Sequence, residues 1–363
     1  MTSPISNSFM LPPRYRTITQ SIIPGGFGSV QKVHDTFLER DVLFKSMQDK
    51  SNNAQLINEI QALSKARSRH IVEIYDVIRD AQGDVVGIII ELLTGRDYIQ
   101  FHSEDKRSPH NYLLALYQIA TALRDLHSAG VIHRDLKLDN LRSSASGILK
   151  LFDFGISVAG DNYRTTRNRG TLVYASPELF VPNAEITPEM DIYAFGICAW
   201  ALATNVWPPA LLERPPQTTG RAPSISSVFA GLPSEVVSLI DECLHPTPSL
   251  RPRAGLLSQE LAKQLARGKH RGIFTQDAAT IYELSNSTPQ VRITIGNLGA
   301  LKVIYDGLVF RIVEVVGNVY INNEVAAVNM QLHGACVLTF GTNDSGSSRA
   351  FVSFASSHPE VVL

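Results

Sequence analysis

The residues most able to do chemistry form one run, His133-Arg134-Asp135-Leu136-Lys137-Leu138-Asp139-Asn140, followed later by Asp153-Phe154-Gly155. Transfer of a phosphoryl group asks little covalent chemistry of a protein. It needs a base to orient and deprotonate a hydroxyl, oxygen ligands for a hard cation such as Mg2+, and a positive charge near the transferred group. Asp135 stands as the base, Asn140 and Asp153 as the metal ligands, and Lys137 as the cation. Ile148-Leu149-Lys150-Leu151-Phe152, just before Asp153, reads as a strand that fixes Asp153 across a hairpin from the first run. The bland alternative is an Arg-Asp in a surface turn and an unrelated Asp-Phe-Gly turn.

Several elements must position these side chains. Ile22-Ile23-Pro24-Gly25-Gly26-Phe27-Gly28-Ser29-Val30 reads as strand, glycine turn, strand. Closely spaced glycines let backbone N–H groups approach phosphates that a Cβ would obstruct, although an ordinary hairpin has the same pattern. Val42-Leu43-Phe44-Lys45 is a short apolar strand ending in a lysine. A helix follows over about Asn53 to Ala66, with Leu56, Ile60 and Leu63 at helical spacing and Glu59 among them. Ile71 to Val77 and Val85 to Glu91 read as strands around an Asp80-to-Asp84 turn. Asn111 to Ser128 is an amphipathic helix that stops at Ala129-Gly130. Ile192 to Thr204 is too short an apolar run to span a bilayer and reads as a buried helix. Pro208 to Pro223 reads as an exposed loop, and two helices follow over Pro233 to Cys243 and Ala254 to Arg267.

Taken in order, these motifs resemble the eukaryotic-type protein kinase family, in a style like its bacterial Ser/Thr members, over residues 14–268. The resemblance implies an α+β bilobal fold, with a β-rich lobe over 14–93 and a helical lobe over 94–268. It implies ATP and Mg2+ as cofactors and protein as substrate. Gly25, Gly28 and Val30 match the glycine loop, while Ile23 replaces its first glycine. Lys45 matches the strand lysine that meets the phosphates and pairs with a helix glutamate, here Glu59. Glu91 and Leu93 fall at the hinge that meets adenine, with Ile90 as gatekeeper. His133 is expected to pack on Phe154, Asp191 to accept hydrogen bonds from the catalytic-loop backbone, and Glu178 to pair with Arg251. Arg134 marks a kinase whose activation segment is ordered by phosphorylation, with Thr165 or Thr166 as the phosphosite. Thr171 resembles the substrate-positioning threonine and, with Lys137, favours Ser/Thr as acceptor. Two departures sit at the adenine pocket. Leu43 replaces a small residue in the roof, and Arg142 replaces an aliphatic residue in the floor, so nucleotide is expected to bind weakly or tilted unless Arg142 swings outward. These departures and Ile23 support the alternative of a pseudokinase or nucleotide-binding scaffold.

Composition sets bounds. The chain has 363 residues, 44% of them apolar, and a net charge of −1, so nothing points to nucleic acid or an anionic membrane as partner. Cys198, Cys243 and Cys336 are far apart and odd in number, which suits buried thiols in a reducing compartment. With no basic, apolar leader at the N-terminus, a cytoplasmic location is expected. Residues 1–13 are rich in Ser and Pro and read as flexible. From residue 273 to 363 the chain turns to Val, Ile, Tyr and Phe with recurrent turn signals, which predicts a small all-β sandwich. Gly317 to Glu324 and Leu332 to Gly341 faintly resemble the second half of a forkhead-associated domain, a family that reads phosphothreonine. Ile295-Gly296-Asn297 stands where that family has Gly-Arg, and its Ser-x-x-His is absent. The open readings are a phosphoprotein reader and a module docking on its own kinase or a partner.

Overall fold

Period-two alternation builds the first sheet. Its strands are β1 (Tyr15–Thr17), β2 (Ile23–Pro24), β3 (Gly28–Asp35), β4 (Arg40–Met47), β5 (Ile74–Arg79) and β6 (Val85–Ile90), with helix α1 (Asn53–Lys65) between β4 and β5. The order is β1-β3-β4-β6-β5, with β2 also on β3, and all pairs are antiparallel. Val33, Val42, Phe44, Ile78 and Ile89 pack with Tyr15 on one side. Cross-strand pairing puts Val30, Lys45 and Ile88 on the other side, together with Leu43 and Ile90. The computed structural model describes residues 11–18, 23–24, 28–47, 53–103, 108–154, 171–342, 346, 349–359 and 361. The chain divides into two units, 1–261 and 262–363.

The rest of the first unit is mainly helical: α2 (Pro109–Ser128), α3 (Pro188–Ala203), α4 (Pro209–Leu212), α5 (Ser234–Cys243) and most of α6 (Ala254–Leu265), whose last residues fall past the division at 261, with a two-stranded hairpin of β7 (Leu141–Ser143) and β8 (Leu149–Leu151). Ser108 caps α2 by accepting the Asn111 N–H at 3.1 Å, and Pro109 supplies the fixed φ of its first turn. Helix α3 is buried on every side from Met190 to Ala203, as its unbroken apolar sequence requires.

Two sequence expectations shift. The strand read from Ile71 begins at Ile74, because the segment before it bonds to β8 instead: Leu151 N–H donates to the His70 carbonyl (2.9 Å) and Val72 N–H to the Leu151 carbonyl (3.0 Å). The proline-rich stretch is not an exposed loop throughout, since it contains α4 and buries Leu211 and Gln217. Gln217 donates to the Leu244 carbonyl and accepts the Ala222 N–H, which ties the stretch to the lobe.

The second unit holds β9 (Gly272–Thr275), β10 (Ile281–Leu284), β11 (Gln290–Ile295), β12 (Gly299–Tyr305), β13 (Phe310–Gly317), β14 (Val319–Ile321), β15 (Glu324–Val325), β16 (Gln331–Leu332), β17 (Ala335–Phe340) and β18 (Ala350–Ser356). One sheet runs β10-β9-β18-β17-β14-β15 and the other β11-β12-β13-β16, both antiparallel. They share one apolar core, with Phe274, Phe340 and Phe354 from the first and Ile293, Leu301, Phe310 and Ile312 from the second. Gly272 is required there, since a Cβ would lie 2.8 Å from Phe354 and 2.9 Å from Phe310. No described helix is long and apolar enough to cross a membrane.

Candidate active site

Asp191, buried in the first turn of α3, anchors the loop that begins at His133. Its two carboxylate oxygens accept the backbone N–H groups of His133 and Arg134, each at 2.8 Å. Arg134 is held at φ +70°, a left-handed conformation that side chains other than Gly rarely take without such support. Burial would lift the Asp191 carboxyl, but the bond from His127 Nε2 (2.9 Å) and the backbone donors outweigh it and keep it below its ordinary value. His133 accepts the Asp135 N–H on Nδ1 (3.2 Å), so its proton sits on Nε2 and is donated to the Phe152 carbonyl (3.2 Å). The His133 ring meets Phe154 edge-on at 4.8 Å.

This frame sets the chemical groups. Lys137 Nζ donates to Asp135 Oδ2 at 2.7 Å. Asn140 Nδ2 donates to Asp135 Oδ2 (3.0 Å) and to the Asp135 carbonyl (2.8 Å). Phe152 N–H donates to the Asn140 carbonyl at 3.1 Å, which brings the Asp153 turn beside Asn140. Asp153 is itself left-handed, with φ +66°. Lys45 Nζ bridges three oxygens: both of Glu59 at 2.8 Å and Asp153 Oδ1 at 2.9 Å. Burial would lower Lys45, but the two carboxylates prevail and hold it above its ordinary value. Burial would likewise lift Asp153, and the Lys45 charge holds it below. Asn140 Oδ1 and Asp153 Oδ2 are hard oxygens without a partner among the described residues, a donor set that fits Mg2+.

At the lobe junction, Ile90 pairs with Leu43 and the chain continues through Glu91 to Leu93. Leu93 is buried, yet its backbone N–H and C=O take no hydrogen bond among the described residues, which leaves a donor–acceptor edge for a planar base. Leu43 lies on the same sheet face as Lys45 and Val30, the position of a roof. Arg142 projects from the face of β7 opposite to buried Leu141 and Ser143. Its guanidinium is half-exposed and lies 4.0 Å from Asp97, beside which its backbone also pairs. Ile23 and Gly28 flank the glycine turn in β2 and β3, paired with Val30 and Met47. Gly25, Gly155, Thr165 and Thr166 lie outside the described residues, and Thr171 begins a short 3-10 turn. Glu178 and Arg251 form a two-pronged pair at 2.6 and 2.7 Å, with the Arg251 side chain fully buried.

A comparison with protein-family models matches the protein kinase domain over residues 17–262, more than half of the chain. The chain belongs to the protein kinase family. It is 33% identical over 208 residues to a probable serine/threonine-protein kinase of Clostridium acetobutylicum, a match covering 55% of this chain and 31% of that protein. Against the serine/threonine-protein kinase PknL of Mycobacterium tuberculosis the identity is 28% over 246 residues, covering 64% and 61%. NUAK family SNF1-like kinase 1 of Homo sapiens is 29% identical over 199 residues, covering 53% and 30%. The chain thus spans from about a third to three fifths of the length of these relatives.

Sequence reasoning about this chain missed two features. His127 was legible only as one side chain on an amphipathic helix face, yet it supports Asp191. Lys150 was one residue of a strand, yet it is buried and ion-paired to Glu91 at 2.7 Å. A signal was present: Leu149 and Leu151 are buried together with it, and a charge within a run apolar on both faces must find a partner inside.

Proposed function

We propose that this chain is a Ser/Thr protein kinase that transfers the γ-phosphoryl group of ATP to protein hydroxyls, its own activation segment among them. The observation that carries the reading is Lys45, whose Nζ reaches Glu59 and Asp153 at once. That one contact links the sheet that would cover the nucleotide to the turn that would hold metal. Lys45 would steady the α- and β-phosphates, with Glu59 keeping its amine in place. Asp135 would orient the acceptor hydroxyl and take its proton, and Lys137 beside it would face the transferring charge. Asn140 and Asp153 would hold magnesium, which supplies charge neutralisation of the phosphates when bound. Leu93 would meet the adenine edge, between the Leu43 roof and the Arg142 floor. Glu91, Ile23, Gly25, Gly28 and Val30 complete the proposed nucleotide contacts. Arg134, Thr165, Thr166 and Thr171 remain the proposed regulatory set.

For the second unit we propose a docking module for a protein partner. The stretch that resembles a forkhead-associated domain serves its own hairpin: Asn322 and Asn323 both take left-handed conformations between β14 and β15, and Asn322 Oδ1 accepts the Val337 N–H at 2.9 Å. Those side chains therefore have a structural use that requires no phosphopeptide.

The test is phosphotransfer with Mg-ATP, wild type beside Asp153→Ala, read by intact mass and peptide mapping. Mass gain in the wild type alone is expected, with sites among Thr165 and Thr166. No gain on the chain or on generic protein substrates would overturn the kinase reading. Nucleotide binding by the same sample would then favour the scaffold.

A further inference from the structure

The linker between the lobes is held to the β7–β8 hairpin by two ion pairs. Arg142 and Lys150 are directly paired across that hairpin, so both side chains leave the same face. Like charges so placed repel unless each is answered. Here each is met by a carboxylate of the linker: Lys150 by Glu91 at 2.7 Å and Arg142 by Asp97 at 4.0 Å. Between the two anchors the backbone is stitched as well. Gly95 N–H donates to the Ser143 carbonyl and Ser143 N–H to the Arg96 carbonyl, both at 2.9 Å. A Cβ on Gly95 would stand 2.5 Å from the Ser144 carbonyl oxygen, so this approach needs glycine.

The anchors are unequal. Arg142 and Asp97 are about half exposed, whereas Lys150 is only 6% exposed and also faces the Ile71 carbonyl at 3.5 Å. Its partner Glu91 is locked from a second side. Glu91 N–H donates to the Glu73 carbonyl at 2.9 Å, and Glu73 N–H points back at Glu91 Oε2 at 3.4 Å. Lys150 therefore ties together three segments: the linker that carries Leu93, the chain leading from α1 and Glu59 into β5, and the strand that runs on to Asp153. None of its contacts reaches the groups around Asp135, which hang from Asp191 instead.

We propose that Lys150, acting through Glu91, is a positioning residue that sets the Leu93 edge relative to Asp153. Nucleotide affinity depends on it and the transfer step does not. The proposal rests on the kinase reading above. A linker pinned in advance has less to order when nucleotide arrives, so loss of the pin appears as weaker binding.

The experiment uses the full chain. A non-hydrolysable ATP analogue with Mg2+ is titrated by calorimetry, and kcat and KM for ATP are measured on a generic protein substrate. Lys150→Met leaves Glu91, whose side chain is 16% exposed, without its cation and risks misfolding, so it is compared with Lys150→Gln, which removes the charge but can still donate a hydrogen bond to Glu91. Lys150→Gln is expected to melt near the wild type, to bind the analogue about tenfold more weakly, and to keep kcat within about threefold. Lys150→Arg, which keeps the cation, is expected to recover part of the lost affinity. Wild-type affinity in a Lys150→Gln variant that melts normally would reduce Lys150 to a stability role and overturn the proposal. An equal fall in kcat at saturating nucleotide would also overturn it. A wild type that binds the analogue without transferring phosphate would overturn the kinase reading alone, because the binding arm still decides the role of Lys150. A wild type that does not bind the analogue would overturn both.

Discussion

The two units treat buried charge in opposite ways. In residues 1–261 the interior holds Asp35, Glu59, Asp135, Lys150, Asp191 and Arg251. Each is tied by an ion pair or by charge-assisted hydrogen bonds. In residues 262–363 the buried polar side chains among the described residues are Gln264, Ser285 and Thr339, none of them ionisable. Taking a charge out of water is unfavourable unless partners compensate, and even good pairs seldom stabilise a fold more than apolar packing would. The first unit therefore accepts repeated unfavourable burial for what the charges position. The second is fitted inside for folding alone, and its function must lie on its surface. A changed charge should disturb chemistry in the first unit, and a changed core residue should disturb only stability in the second.

The largest expected effect tests the first half of that contrast. Asp135→Asn keeps the shape and the bond geometry around Lys137 and Asn140 but removes the proposed base. Transfer should fall by about 10²–10⁴-fold in initial-rate assays while melting changes little. Near-native rates would mean that the buried carboxylate serves packing. Next in size is the second half. Phe354→Ala should cost the β unit about 3–5 kcal/mol, because Phe354 packs on Phe274 at 4.7 Å and Phe310 at 5.4 Å and leaves a cavity when truncated. Nucleotide binding should be unchanged. A parallel loss of binding would show that the units are not independent in function.

Acid sharpens the comparison further, with a smaller effect. Asp191 is held below its ordinary carboxylate value, so its contribution to stability is present above the unfolded value of about 4 and is lost as pH falls through the folded one. The β unit buries no carboxylate among its described residues. The first unit should therefore unfold first between pH 5 and 2, at about that range. Trp200 and Trp207, the chain's two tryptophans, both lie in it, so fluorescence follows that unit while far-UV dichroism follows the whole chain. Loss of β signal before any change in fluorescence would contradict the expectation.

The sequence was most legible where function compresses residues into one run. Asp135, Asn140 and Asp153 could be picked out because their types and spacing answer one chemical need. The helices were legible because a buried stripe repeats every turn, and α3 because apolar residues fill every side. What was hidden depends on contacts distant along the chain. Nothing local says that β9 pairs with β18, at opposite ends of the second unit, or that the chain at His70 to Val72 prefers β8 to its own sheet. The partner of Lys150 was hidden for the same reason. Apolar neighbours on both faces of its run say that the lysine needs a partner inside, but not that this partner is Glu91, far back in the sequence.

The smallest predicted effect concerns the cation that Lys150 faces across the hairpin. From sequence Arg142 stood either as a charge in the adenine floor or with its guanidinium swung outward. The guanidinium lies 4.0 Å from Asp97 and is half exposed, where water and salt screen the pair. Arg142→Leu loses that weak tether and gains an aliphatic surface, two changes of opposite sign on nucleotide affinity. The net change should be no more than about threefold, and the difference from wild type should shrink further as salt rises. Calorimetric titration at low and high ionic strength checks both. A tenfold gain would restore the cationic floor as the main weakness of the pocket. A tenfold loss would make Asp97 an anchor as strong as Glu91, against the difference in their burial. The same hairpin thus carries two cations alike in formal charge, and it is the water around each that decides what each is worth.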